Sequence, residues 1–197
     1  MTAHLRNPFL FLLILSCSLI SFSQASTAAE KPERPNILFL FSDDQRADAV
    51  AAYDNPHIQT PNLDQLVKEG FNFRNAYCMG SIHGAVCQPS RAMLNSGRSL
   101  YHVPMDLKGV ITLPQLLKQA GYETFGTGKW HNHRDSFQKS FTTGTAAFIG
   151  GMSNHLKVPV IDLKEGKFEN KRTGKKFSSE LFVDAAVDFL KQQPAEK

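Results

Sequence analysis

The run Asn36-Ile37-Leu38-Phe39-Leu40-Phe41 is apolar from its second residue onward, without alternation, and stops abruptly at Ser42-Asp43-Asp44-Gln45. A strand with one wet face alternates, whereas a continuous run predicts a strand covered on both faces. Such a strand demands helices on either side, and the downstream sequence offers them. Thr60 is placed to cap a helix with Pro61 at its first position, Leu63, Leu66 and Val67 on its apolar face, and Gly70 at its end. Phe71 to Tyr77 alternates weakly and predicts a short strand. Cys87-Gln88-Pro89-Ser90-Arg91 leads into Ala92-Met93-Leu94, a helix running to Gly97. Thr112 caps the next, which carries Pro114 near its start and turns Leu113, Leu116, Leu117 and Ala120 inward. Gly121 closes it, and Tyr122 to Thr127 predicts another strand. Residues 132–176 predict loops and a peripheral hairpin, with turn signals at Glu165-Gly166 and Thr173-Gly174. Ser179 caps a last amphipathic helix carrying Leu181, Phe182, Ala185, Ala186, Phe189 and Leu190. Strand, helix and strand in this order predict an α/β fold: a mostly parallel sheet flanked by helices on both faces. A crossover helix with no strand after it predicts a domain truncated at its C-terminal end.

The first residues stand apart from this pattern. Arg6 supplies a positive start, Pro8 to Leu15 with Leu19 and Ile20 an apolar middle, and Ser23-Gln24-Ala25 a small-residue cleavage site. Ser16, Cys17, Ser18 and Ser21 interrupt the apolar stretch, which falls short of the ~20 residues of a membrane span. The expectation is a cleaved signal peptide over 1–25, a linker over 26–35 and one catalytic domain over 36–197, secreted or periplasmic, with no stable membrane span. Composition narrows the partners: 42% hydrophobic and 20% charged residues exclude a disordered chain, and a net charge of +4 is too small for a nucleic-acid footprint. Three cysteines build no disulfide framework, and signal cleavage leaves only Cys78 and Cys87, able to pair in an oxidising compartment.

Three clusters carry chemistry, each beyond a strand end or at a helix start, where α/β sheets hold ligands. Asp43 and Asp44 follow the apolar run. Two adjacent carboxylates need a cation, and all-oxygen donors suit Mg²⁺ or Ca²⁺; a solvated turn is the plainer alternative for an isolated Asp-Asp. Cys87 stands at a helix start, where free N–H groups favour an anion near sulfur, and Arg91 lies one turn further on; alone, this pattern also fits a structural cysteine. Lys129 and His131, in Gly128-Lys129-Trp130-His131, pair a fixed cation with a group that moves protons near neutrality, while Trp130 between them reads as core.

Taken in order and spacing, Asn36 to Asp44, Cys87-Gln88-Pro89-Ser90-Arg91 through Gly97, and Gly121-Tyr122 through Gly128-Lys129-Trp130-His131 resemble the formylglycine-dependent sulfatases, relatives of alkaline phosphatase. The resemblance is specific over about residues 34–135 and looser over the last helix. It implies the alkaline-phosphatase-like sulfatase fold and hydrolysis of sulfate esters. Cys87 would be oxidised to formylglycine by a formylglycine-generating or sulfatase-maturing enzyme. One hydroxyl of the aldehyde's hydrate attacks sulfur; the other loses its proton to expel sulfate and restore the aldehyde. By the same resemblance Asp43, Asp44 and the modified Cys87 hold a divalent cation, usually Ca²⁺. Arg91 steadies the hydrate, Lys129 holds the sulfate and His131 assists proton transfer.

The sequence departs from the family at Gln88, where a smaller residue is usual, at Asn95-Ser96 before Gly97, and at Thr127 before Gly128. None of these removes a reacting group. The family's further metal ligands and leaving-group acid fall beyond residue 197, which predicts that residues 1–197 alone are inactive. The substrate expected is a sulfated small molecule or polysaccharide. Two other readings compete: a phosphonate monoester or phosphodiester hydrolase of the same superfamily, and a non-catalytic secreted module gripping sulfated glycans through Arg172, Lys175 and Lys176.

Overall fold

The computed structural model describes residues 34–77, 79 and 86–194. The expected signal peptide, Cys78 and the loop 80–85 lie outside the described residues. The chain divides into two units, Met1–Phe41 and Ser42–Lys197.

In the first unit, the apolar run does not form the strand that its sequence predicts. Ile37 to Phe41 are 44–71% exposed and carry no strand hydrogen-bond ladder. Phe39 and Phe41 stack on each other with centroids 5.9 Å apart. The reason is physical: an apolar run becomes a strand only when a neighbour satisfies its N–H and C=O groups.

The second unit is α/β, with a mixed four-stranded sheet. Its helices are α1 Pro61–Glu69, α2 Cys87–Ser96, α3 Leu113–Gln119, α4 Arg134–Ser140 and α5 Ser178–Lys191. Its strands are β1 Phe125–Lys129, β2 Thr143–Phe148, β3 Pro159–Lys164 and β4 Lys167–Thr173, in the order β1-β2-β3-β4. β1 and β2 are parallel, joined across α4, and the two remaining pairings are antiparallel. The predicted hairpin is β3–β4. Its turn residues Glu165 and Gly166 both take positive φ (49° and 71°), as a two-residue turn matching strand twist requires.

Helices cover both faces of this sheet. One core joins Ala92 of α2 and Phe137 of α4 to Trp130, Ala147 and Leu163, closed by Val103, Leu107 and Val110. Trp130 sits edge-on to Phe137 and Phe141, with centroids 5.6 and 5.4 Å away, and its indole N–H donates to Ser136 Oγ at 2.7 Å. The other core sets Ala185, Leu181 and Phe182 of α5 against Phe125, Ala146, Phe148, Val158 and Val160. Phe189, near the end of α5, stacks on Phe125 at the start of β1, so helix and strand run in opposite directions.

Several local expectations are corrected. Thr60 precedes α1 but does not cap it: its hydroxyl accepts from the Ala51 N–H and donates to Asp64 Oδ1, both at 2.8 Å. Phe71 to Tyr77 is not a strand; Phe71 and Phe73 are exposed and pair edge to face at 4.8 Å. The last helix begins at Ser178, one residue before the expected cap. Residues 132–176 contain α4 and β2 besides the hairpin. Thr112 meets its expectation: its hydroxyl and Gln115 form a capping box. No helix among the described residues is long and apolar enough to cross a membrane.

Candidate active site

All six predicted site residues lie in the second unit, and the structure gathers five of them, Asp43, Asp44, Cys87, Arg91 and Lys129, into one cluster. A regular strand sends adjacent side chains to opposite faces. Asp44 breaks that alternation by taking φ 53°, a left-handed conformation that aspartate tolerates. Ligand atoms of Asp43, Asp44 and Cys87 consequently lie within 4.8 Å of one another. Cys87 is a free cysteine and opens α2.

Arg91, one turn further along α2, is 7% exposed. Its Nη2 lies 3.2 Å from Asp43 Oδ1, and its Nη1 donates to the Lys129 carbonyl at 2.5 Å. The guanidinium thereby joins three segments: the acidic loop, the cysteine helix and the end of β1. Lys129 Nζ reaches Asp43 Oδ2 at 2.6 Å and also engages the Cys87 side chain.

Electrostatics follow from this packing. Burial alone would raise the Asp43 pKa, but hydrogen bonds and charge from Lys129 and Arg91 bring it below the ordinary aspartate value. Burial would lower that of Lys129, yet its bonds to Asp43 and Cys87 raise it, so the ammonium stays charged. His131 moves the other way. Burial, then the positive charges of Lys129 and Arg91, depress its pKa against a weaker opposing pull from Asp43, which keeps the imidazole neutral at pH 7.

His131 also stands on special backbone. It takes φ 65°, and His133 takes φ 75°. The His131 ring lies against Gly151, where a Cβ would overlap both Cε1 and Nε2, so a side chain there would displace the imidazole. The His131 Nδ1 atom is buried without a hydrogen-bond partner.

One residue that the sequence did not single out is built into the cluster. Asn132 is fully buried, and its side-chain amide donates to the Gln88 carbonyl at 2.9 Å and to the Met105 carbonyl at 2.6 Å. A lone Asn in a His-rich loop gives no periodic signal, so only the fold reveals it. The predicted glycan-gripping cations, by contrast, are partly spent on neighbours. Arg172 pairs with Asp162 at 2.8 Å and Lys176 with Asp184 at 2.5 Å.

The donor set fits a hard divalent cation. Two carboxylates converge, and oxygen in place of the Cys87 sulfur would complete an oxygen-only group. The family model described as Sulfatase matches residues 35–197. The N-acetylglucosamine-6-O-sulfatase of Bacteroides thetaiotaomicron is 36% identical over 131 residues, 64% of this chain and 23% of its own length. The N-acetylgalactosamine-6-sulfatase of Homo sapiens is 31% identical over 202 residues, 84% of this chain and 38% of its own. Arylsulfatase A of Bos taurus is 38% identical over 122 residues, 54% and 22% respectively. The chain spans well under half the length of these relatives. Because the family match takes in the acidic pair, the cysteine helix and the end of β1 together, the chain belongs to the sulfatase family.

Proposed function

We propose that the full-length protein hydrolyses sulfate esters, with Cys87 converted to formylglycine as nucleophile and a divalent cation, Ca²⁺ or Mg²⁺, held by Asp43, Asp44 and residue 87. The observation that carries this reading is the convergence of those three side chains beside Arg91 and Lys129. When bound, the cation withdraws charge from the sulfate oxygens and favours the ionised aldehyde hydrate. The chain's own residues do the rest. Arg91, fixed by its bonds to Asp43 and the Lys129 carbonyl, steadies the anionic side chain at position 87. Lys129, charged and only 12% exposed, binds the sulfate. His131, kept neutral at pH 7 by its depressed pKa, accepts a proton from the hydrate.

The same reading places the protein outside the cytoplasm, secreted or periplasmic through a signal peptide over residues 1–25, and makes a formylglycine-generating or sulfatase-maturing enzyme its partner during synthesis. The named activities of the relatives on N-acetylhexosamine sulfates and on ulvan support a sulfated sugar as substrate. Full-length protein produced with the maturing enzyme should hydrolyse an aryl sulfate faster than an aryl phosphodiester, and Cys87→Ala should abolish turnover. A preference for the phosphodiester would transfer the protein to the related esterases. Glycan binding that survives Cys87→Ala, with no hydrolysis of either ester, would make it a binding module.

A further inference from the structure

We infer that Asn132 is a positioning residue, setting the start of α2, and with it Cys87, against Lys129 and His131; as a statement about catalysis this rests on the sulfatase reading above. Arg91 ties the two halves of the cluster together from the middle of α2, and the Asn132 side chain ties them at its first turn. From the loop that follows β1 it donates to the carbonyl of Gln88, the residue adjoining Cys87, and to that of Met105. The Gln88 side chain turns to the same Met105 carbonyl at 3.5 Å, so both residues meet one acceptor.

The backbone of Asn132 is held as firmly. Its carbonyl accepts from Ser136 Oγ, which in turn accepts from the buried Trp130 indole. It therefore joins the Trp130 core on one side and the cysteine helix on the other. Its neighbours His131 and His133 both take positive φ, a conformation that persists for such residues only where surrounding bonds hold it. A filler residue would be apolar. Asn132 instead keeps a fully buried amide whose Oδ1 has no hydrogen-bond partner, so its two N–H bonds are what set its place.

The test is Asn132→Leu, which keeps the buried bulk and removes both donors. Three readouts apply to the full-length protein: amide hydrogen exchange along α2, alkylation of Cys87 in protein made without the maturing enzyme, and kcat and KM on an aryl sulfate in matured protein. Cys87 alkylation should change, and kcat should fall about tenfold at nearly constant KM, because a small misplacement of reacting groups costs rate. Exchange and alkylation equal to wild type would overturn the proposal, whatever the activity. An inactive wild type combined with faster α2 exchange in Asn132→Leu would instead defeat the sulfatase reading and leave the positioning role standing. Should Asn132→Leu not fold, Asn132→Ser, which keeps a shorter donor, undergoes the same measurements: faster α2 exchange supports the role, and wild-type exchange and alkylation overturn it.

Discussion

At the scale of single residues, the cluster depends on charges that hold one another in place. His131 gives the most accessible readout. Its pKa is depressed in the folded state by burial and by Lys129 and Arg91, so the unfolded chain binds that proton more readily. Its contribution to stability is therefore complete above the unfolded value of about 6.5 and is lost as pH falls through the lower folded value. An NMR titration of the His131 ring should give a midpoint below 6.5; a midpoint at or above it would contradict the charge arrangement described. Gly151→Ala tests the same ring from the other side. The added methyl would overlap the imidazole, so we expect a loss of about 1–3 kcal/mol in chemical denaturation and a shifted His131 resonance, as for overpacked sites. An unchanged resonance would show that the ring does not rest on Gly151. The six candidate residues stand out in the sequence because their types are chemically loaded and their order is distinctive. Asn132 and Gly151 do not, since their roles come from burial and close approach, which spacing along a chain does not encode.

Among the elements, α4 is short but central. Phe137 is 1% exposed and packs against Trp130, Phe141 and Phe168, so Phe137→Ala should cost about 3–5 kcal/mol in denaturant unfolding. A loss below about 1 kcal/mol would mean that this core is not cooperative with the rest. The sequence pattern hides α4 because Phe137 is its one apolar residue, and its buried face is completed by Ser136 and Ser140, whose hydroxyls donate to carbonyls one turn back. β2 is hidden for a related reason: Thr143-Gly144-Thr145-Ala146-Ala147 carries no large apolar residue until Phe148, and Gly144 weakens the signal of the two threonines. By contrast α1, α2 and α3 carry punctuation that survives folding: Pro61, Gly97 at φ 65° and the Thr112–Gln115 box. The β3–β4 turn was equally plain in Glu165-Gly166. Asn36 to Phe41 marks the opposite limit. Its apolar pattern was real, but strand formation needs a hydrogen-bonding neighbour, and periodicity says nothing about that.

For the molecule as a whole, the proposed reaction makes cation binding and covalent maturation two separable conditions of activity. A ligand that binds only the folded state at 100 times its dissociation constant stabilises it by about 2.7 kcal/mol. Matured full-length protein should therefore gain thermal stability on adding Ca²⁺, lose that gain with a chelator, and show none in Asp44→Asn. A gain that persists in Asp44→Asn would locate the cation elsewhere. Maturation is the sharper question, because every assigned role is arranged around the side chain at position 87. It is answered by the mass of the tryptic peptide Asn75 to Arg91 from protein produced together with a formylglycine-generating enzyme. An aldehyde at Cys87 is the expected result. An intact thiol, or a disulfide from Cys87 to Cys78, would contradict the proposed nucleophile.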